Sequence, residues 1–407
     1  MKFFTPEISW HGRDPLYSVD LQPIDGNIQR LATCGMDINI MIWKVDLNSN
    51  DLARISYLST LSRHSKTVNV VRFSPDGKLL ASGGDDSLIM LWQLTTHEPA
   101  NPAFDCDGVI PSESWTVVKC LRSHLEDVYD VGWSKDGSQL LSGSVDNVAI
   151  LWDVKKGVKL HIFSSHRSYV QGVGFDPLSR YLVTFSCDRS MKVYQNVDYK
   201  LLHDVRKISL GGKEFKIFHD DSMKSFFRRL SYSPDGQLLV VPSGIIEITS
   251  NTSDNQANTI INTTYLFSRR DLSKPLLHFP VPHSCKATLA VRFCPIIFKL
   301  RDFNKMFVIL LPHRFVFAVA TENSILIYDT QQPTPMFSVS NVHYDILSDL
   351  TWSSDGRLLI ASSVDGYCTL IRFLDGDLGE VISSNITPEQ FCVAESMEIV
   401  QNDQVGF

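Results

Sequence analysis

The sequence predicts an all-β protein folded as one seven-bladed β-propeller, and three observations carry that prediction. A unit of short apolar runs recurs along the 407-residue chain, its runs are separated by turn dipeptides, and seven copies can be traced. The clearest copies are HSKTVNVVRFSPDGKLLASGGDDSLIMLWQL (64–94), HLEDVYDVGWSKDGSQLLSGSVDNVAILWDV (124–154) and, more loosely, HRSYVQGVGFDPLSRYLVTFSCDRSMKVYQN (166–196). Each alternates apolar and polar residues in three runs joined by turns such as Asp76-Gly77 and Asp136-Gly137, the pattern of an antiparallel meander. A fourth strand follows each. One four-stranded sheet has two bare edges and an apolar face; seven set radially bury those faces against their neighbours and keep the edges short.

In chain order, KFFTPEIS (2–9) precedes the first repeat, whereas the last repeat stops at its third strand near Phe373. The leading segment is therefore expected to supply the missing outer strand of blade 7 and close the ring. Blade 1 spans 11–45 and ends in CGMDINIMIWKV, and blades 2 to 4 are the strong WD40-type copies above. Blade 5 runs from HDDSMKSFFRRLSYSPDG (219–236) to NTTYLFSRR (262–270), blade 6 from KATLAVRFCP (286–295) to ATENSILIYDT (320–330), and blade 7 over 343–373. The propeller takes residues 1–374. Insertions fall at 95–114, 197–218, 244–261 and 296–313. The third, rich in Asn, Ser and Thr, reads as a polar mobile loop. The fourth carries Lys299, Arg301, Lys305, His313 and Arg314 among aromatics, a pattern that could touch nucleic acid but reads better as a solvated loop.

Composition narrows the function classes. No run of about 18 apolar residues is present to span a membrane, and MKFFTPEISW lacks the apolar stretch of a signal peptide, so a soluble intracellular protein is expected. The eight cysteines form no Cys-x-x-Cys pair, and reduced thiols are expected. Seven of the 45 carboxylates lie between Asp375 and Phe407, a stretch with no Lys or Arg. The rest of the chain is balanced in charge, which argues against direct DNA binding by the propeller, because neutralising phosphates requires a basic surface. Residues 375–407 are expected to form an acidic, flexible tail able to attract a basic partner.

Each strong repeat carries a His, a hydroxyl and an Asp at matching places: His64, Ser82 and Asp86; His124, Ser142 and Asp146; His166, Thr184 and Asp188. Trp92 and Trp152 complete the first two sets. Such a set resembles a nucleophilic triad, but a reaction centre is needed once and this one recurs at blade spacing. A hydrogen-bonded staple across the strands of each blade explains the repetition. No phosphate loop, metal-ligand spacing or isolated acid–base pair is present, so the sequence predicts no enzyme, no metal and no cofactor.

One copy departs from the rest. HDDSMKSFFRRLSYSPDG (219–236) places Phe226, Phe227, Arg228 and Arg229 where other blades carry small, polar or acidic residues. Counting back from the repeat's aromatic (Phe73, Trp133, Phe175, Tyr232) aligns Arg228 with Asn69, Tyr129 and Gln171, and Phe226 with Thr67, Asp127 and Tyr169. Alternate residues share one side of a strand, so these positions are expected at the top rim of the central channel. Phe227 and Leu230 align with core valines. Two accounts stay open. In one, Phe226 packs under the preceding insertion and Arg228 pairs with Asp220 or Asp221. In the other, Phe226 and Arg228, with Tyr129, Asp127, Asn69 and Gln171 around them, anchor a partner, the guanidinium taking carboxylates of an acidic co-subunit.

The irregular stretches HLEDVYDVGW, FHDDSMKSFFRRLSYSPDG, NTTYLFSRR, KATLAVRFCP, FVFAVATENSILIYDTQQ and HYDILSDLTWSSDG together resemble the middle-sized WD40 subunits of chromatin assembly factor 1, its B-subunit family. The resemblance runs to about Phe373. It implies a nuclear histone chaperone subunit that helps deposit histones H3 and H4 on newly replicated or repaired DNA, beside a large acidic subunit and a smaller WD40 histone binder. Family members continue into a long basic, Pro/Ser-rich tail with an Arg-rich motif for the anti-silencing histone chaperone. Here no such motif precedes Phe407, and the resemblance does not extend to that contact or to a nuclear import signal. A generic WD40 scaffold, such as a ubiquitin-ligase substrate receptor, is the alternative that the fold alone leaves open.

Overall fold

The tight turns that join the first and second strands of blades 2, 3, 5 and 7 show how local chemistry sets the repeat. In blade 2, Ser74 Oγ donates to Asp76 Oδ1 at 2.6 Å and accepts from Leu79 N at 2.9 Å, while Gly77 takes a φ of 67°. The same serine, aspartate and left-handed glycine recur at Ser134, Asp136 and Gly137, at Ser233, Asp235 and Gly236, and at Ser353, Asp355 and Gly356. Only glycine adopts that φ without strain, which is why Ser-x-Asp-Gly marks the blades.

The computed structural model describes residues 1–23, 28–47, 53–95, 111–210, 212–249, 258–282, 284–301 and 311–382. Among these, every element is a strand, arranged as seven four-stranded antiparallel sheets and one two-stranded hairpin. From the axis outward, blade 2 is Val68–Phe73, Leu79–Gly84, Leu88–Thr95 and Ser114–Arg122, and its neighbours follow the same order. Seven apolar clusters hold the ring, one between each pair of adjacent blades. Ala32, Ile42, Val71 and Trp92 join blades 1 and 2, and Leu358, Leu370, Val19 and Trp43 join blades 7 and 1. Each large side chain so buried is worth roughly 1.5–3 kcal/mol.

Ring closure runs as the missing outer strand of blade 7 demands. Lys2–Phe4 pairs antiparallel with Cys368–Arg372, Phe3 standing opposite Ile371. The strand is shorter than the segment 2–9 because Pro6 has no N–H to give the ladder. Beyond it, Thr5 Oγ1 still meets Thr369 Oγ1 at 2.7 Å.

Two insertions are more regular than their composition suggests. Within 244–261, Leu238–Thr249 and Asn258–Ser268 continue as a paired ladder past the end of the blade, so the described part is hairpin and not loop. The β-branched residues of GIIEIT and NTIINTT outweigh the polar ones between them, which lie outside the described residues. Within 197–218, Leu201–Val205 is the outer strand of blade 4, and Lys207–Leu210 pairs with Lys213–Lys216. Most of the insertion at 95–114 lies outside the described residues.

The basic patch in the fourth insertion does not assemble. Arg314 is fully buried, with Nη1 2.9 Å from Asp329 Oδ2, and His313 is buried too. Lys299 pairs with Glu380 at 2.8 Å, and Lys305 lies outside the described residues. Arg314 Nη2 also donates to the Leu378 carbonyl, and Met1's amino group meets Asp377 at 2.6 Å. Residues 375–382 thus pack on the propeller; 383–407 lie outside the described residues.

Candidate functional site

The repeated polar set is internal. His64 Nε2 lies 2.7 Å from Ser82 Oγ, His64 Nδ1 lies 2.9 Å from Asp86 Oδ2, and Trp92 Nε1 donates to Ser82 Oγ at 2.9 Å. Blade 3 repeats it with His124, Ser142, Asp146 and Trp152 at 2.7, 3.0 and 2.9 Å. In blade 4, His166 stands 2.7 Å from Thr184 Oγ1 and 3.2 Å from Asp188 Oδ2. Ser82, Ser142 and Thr184 are wholly buried, out of a substrate's reach.

The structure adds two sets that the strong repeats did not reveal. Blade 1 ties His11 to Thr33 at 2.8 Å and to Asp37 at 2.6 Å, with Trp43 donating to Thr33. In blade 7, His343 meets Asp365 at 3.0 Å, and Thr369 of the next strand supplies the hydroxyl at 2.9 Å. The His at 11 and the Asp-x-x-x-x-x-Trp run from Asp37 to Trp43 were the available signal.

These sets make stability depend on pH. At Asp86, Asp146, Asp188 and Asp365, burial pushes the carboxyl up, but hydrogen bonds from the histidine and from backbone N–H groups outweigh it and hold each below the ordinary carboxylate range. A lowered folded pKa stabilises above the unfolded value of roughly 4 and ceases to do so as pH falls through the folded value. Burial lowers His166 as well, so its share begins to fade below roughly pH 6.5. Asp20 and Asp130, raised by burial, act oppositely. The melting temperature is expected to decline slightly from pH 7 to 5 and steeply below about pH 4; a flat profile to pH 3 would contradict these assignments.

Blade 5 departs from its neighbours because its chain enters the axis. Its innermost strand is only Ser231–Tyr232, and residues 226–230 leave the blade ladder. Arg228 N donates to Gln171 O of blade 4 at 3.2 Å, and a side chain on Gly172 would find the Arg228 carbonyl oxygen at 2.0 Å, so only glycine admits this approach. The backbone of Arg229 pairs with blade 6, accepting from Val291 N at 2.8 Å and donating to Leu289 O at 2.9 Å.

The Arg229 side chain then crosses the channel. Its Nη1 donates to Tyr17 O of blade 1 at 2.8 Å and Ser348 O of blade 7 at 3.0 Å, and Nη2 donates to Asn69 O of blade 2 at 2.8 Å. Asp349 Oδ2 lies 3.1 Å from Nη1, and Asp130 Oδ1 of blade 3 lies 3.7 Å from Nε. Arg228 and Arg229 together therefore touch all six other blades. Arg72 shares Asp349 at 2.7 Å, Arg292 approaches it at 3.8 Å, and Asp20 accepts from Phe73 N at 2.7 Å, so three arginines face three aspartates. Burial pulls the Arg229 guanidinium down to about 10 against the attraction of Asp349 and Asp130, which leaves it charged at neutral pH. Phe227 caps this plug, with the Arg229 guanidinium 4.1 Å from its ring centre. It belongs to the channel mouth and not to an inter-blade core.

The rim candidates divide. Phe226 is 56% exposed and does not pack under the insertion, and Tyr129 and Asp127 are half-buried. Asn69, Gln171 and Arg228 are buried. The expectation that Arg228 reaches the top surface is corrected: it is 1% exposed and donates to the carbonyls of His219, at 2.6 Å, and of Asp220. The Asp220 carboxylate goes to Arg189 instead, at 3.3 Å. The two adjoining carbonyls of His219 and Asp220 offered Arg228 a site that no alignment of repeats displays.

A ring with a plugged axis and inward-turned polar sets is a seven-bladed β-propeller whose usable features are its surfaces, the build of a binding scaffold. The sequence pattern of the CAF1B/HIR1 beta-propeller domain matches residues 1–378, and the chain belongs to that family. It is 48% identical over 398 residues to the chromatin assembly factor 1 B-subunit of Mus musculus, covering 93% of this chain and 68% of the mouse protein. The Gallus gallus B-subunit is 49% identical at 93% and 69% coverage, and that of Saccharomyces cerevisiae 32% identical at 90% and 84%.

Proposed function

We propose that the chain is a non-enzymatic subunit of a nuclear chromatin assembly factor, contributing binding surface to a complex with large and small co-subunits that deposits histones H3 and H4. The observation that carries this reading is the near-half identity to the mouse and chicken chromatin assembly proteins across 93% of the chain. The structure supports it through what the repeats do: the one recurrent set of acid, base and hydroxyl is spent on holding strands together. Sequence-specific DNA contact forms no part of the reading.

Capture of the tagged chain from nuclear extract, followed by mass spectrometry, tests it. Histones and two further chromatin assembly subunits are expected. Recovery of ubiquitin-ligase adaptors without histones would favour the general scaffold instead, and recovery of neither histone nor chromatin subunit would end the proposal.

A further inference from the structure

The surface above the axial plug is aromatic and acidic. Tyr17 of blade 1 and Tyr129 of blade 3 flank the Phe227 ring at centroid distances of 5.8 and 6.1 Å, and Tyr129 stands 6.1 Å from the exposed Phe226. Tyr169 of blade 4 continues the rim and is 46% exposed. Asp85 and Asp127 lie beside these rings. Burial raises the Tyr129 phenol, and the charges of Asp127 and Asp85 raise it further; burial raises Asp127 as well, helped by Asp85 and Glu126 and opposed by Lys66. Asp85 holds Asn69 Nδ2 at 2.6 Å, while Asp127 makes no ion pair among the described residues. Gln171, the blade 4 counterpart of Tyr129, has a buried Oε1 without a hydrogen-bond partner among the described residues, another acceptor at this rim.

Both arginines that would have made the rim basic are turned inward. Arg228 is bound to carbonyls, and Arg229 lies in the plug beneath Phe227. What remains outside beside these rings are ring faces and the carboxylates of Asp85, Glu126 and Asp127 against the single ammonium of Lys66 that acts on Asp127, so the partner chemistry is the reverse of the acidic one that the arginines suggest in sequence.

We propose that this rim docks an Arg- or Lys-bearing peptide segment, its cationic head group over Phe226 and Tyr129 and beside Asp127 and Asp85. Aromatic faces attract cations, and the neighbouring carboxylates supply hydrogen-bond acceptors for the same group. An acidic segment would meet Asp85, Glu126 and Asp127 as like charges. The inference rests on the reading of the propeller as a binding platform and names one of its surfaces.

The test is fluorescence anisotropy with the full chain and two labelled probes, a peptide of alternating Arg and Ser and its Glu counterpart, at physiological salt. The Arg peptide is expected to bind and the Glu peptide not. Phe226→Ala and Asp127→Asn should each weaken binding about tenfold, whereas Phe226→Tyr retains it. Because Phe226 is exposed, its variants should melt with the parent chain. Equal affinity of the parent and both variants would place the peptide elsewhere, on the general negative charge of the chain, and overturn the proposal, as would preference for the Glu peptide. Co-purification of the chromatin subunits with Phe226→Ala would show that the platform reading stands whichever way the peptide result falls.

Discussion

Arg229→Met should destabilise the propeller by about 3–5 kcal/mol, the usual effect of removing one member of a buried charge group while its partners stay. The methionine fills part of the volume but donates nothing to Tyr17 O, Ser348 O and Asn69 O, and it leaves Asp349 with Arg72 and Arg292 alone and Asp130 without its nearest cation. Lysine keeps the charge, yet one ammonium cannot span three carbonyls on three blades, so Arg229→Lys should recover less than half of the loss. Arg228→Met, which removes two carbonyl contacts and frees no carboxylate, should cost about 1–3 kcal/mol. Urea denaturation of the three variants measures the order. A loss below about 1 kcal/mol for Arg229→Met would mean that the axis is held by the inter-blade clusters and that the plug is incidental.

Removal of residues 1–9 is the second large effect. It strips Lys2–Phe4 from blade 7, takes Phe4 and Ile8 from the cluster shared with blade 1, and removes the contacts of Thr5 with Thr369 and of the Met1 amino group with Asp377. The lost ladder bonds and apolar contacts amount to about 3–5 kcal/mol, and the exposed edge of Cys368–Arg372 becomes a template for pairing with another chain. The shortened chain should melt well below the intact one and associate on heating, followed by light scattering. If it melts within a degree or two and stays monomeric, closure by the leading strand contributes little.

Most of what is local and strongly repeated was legible in the sequence. Alternation, Ser-x-Asp-Gly turns and the recurring His, hydroxyl, Asp and Trp are written within one blade, and their spacing is enough to specify seven sheets, the staples of blades 2 to 4 and the need for an outer strand from the leading segment, whereas the sets of blades 1 and 7 emerged only from the structure. The family resemblance, too, rested on short contiguous stretches. The fates of Arg228 and Arg229 are of another kind. The FFRR departure was legible as a departure, but its meaning depends on groups brought together at the axis from positions as far apart as Arg72 and Asp349, 277 residues away in the chain. Desolvation decided the outcome: a guanidinium at the centre of the ring is retained only where carbonyls and carboxylates from several blades converge on it, and once both arginines take such places the surface left above them is aromatic and acidic. Charge at the rim is therefore a property of ring closure, and no alignment of one blade with another contains it.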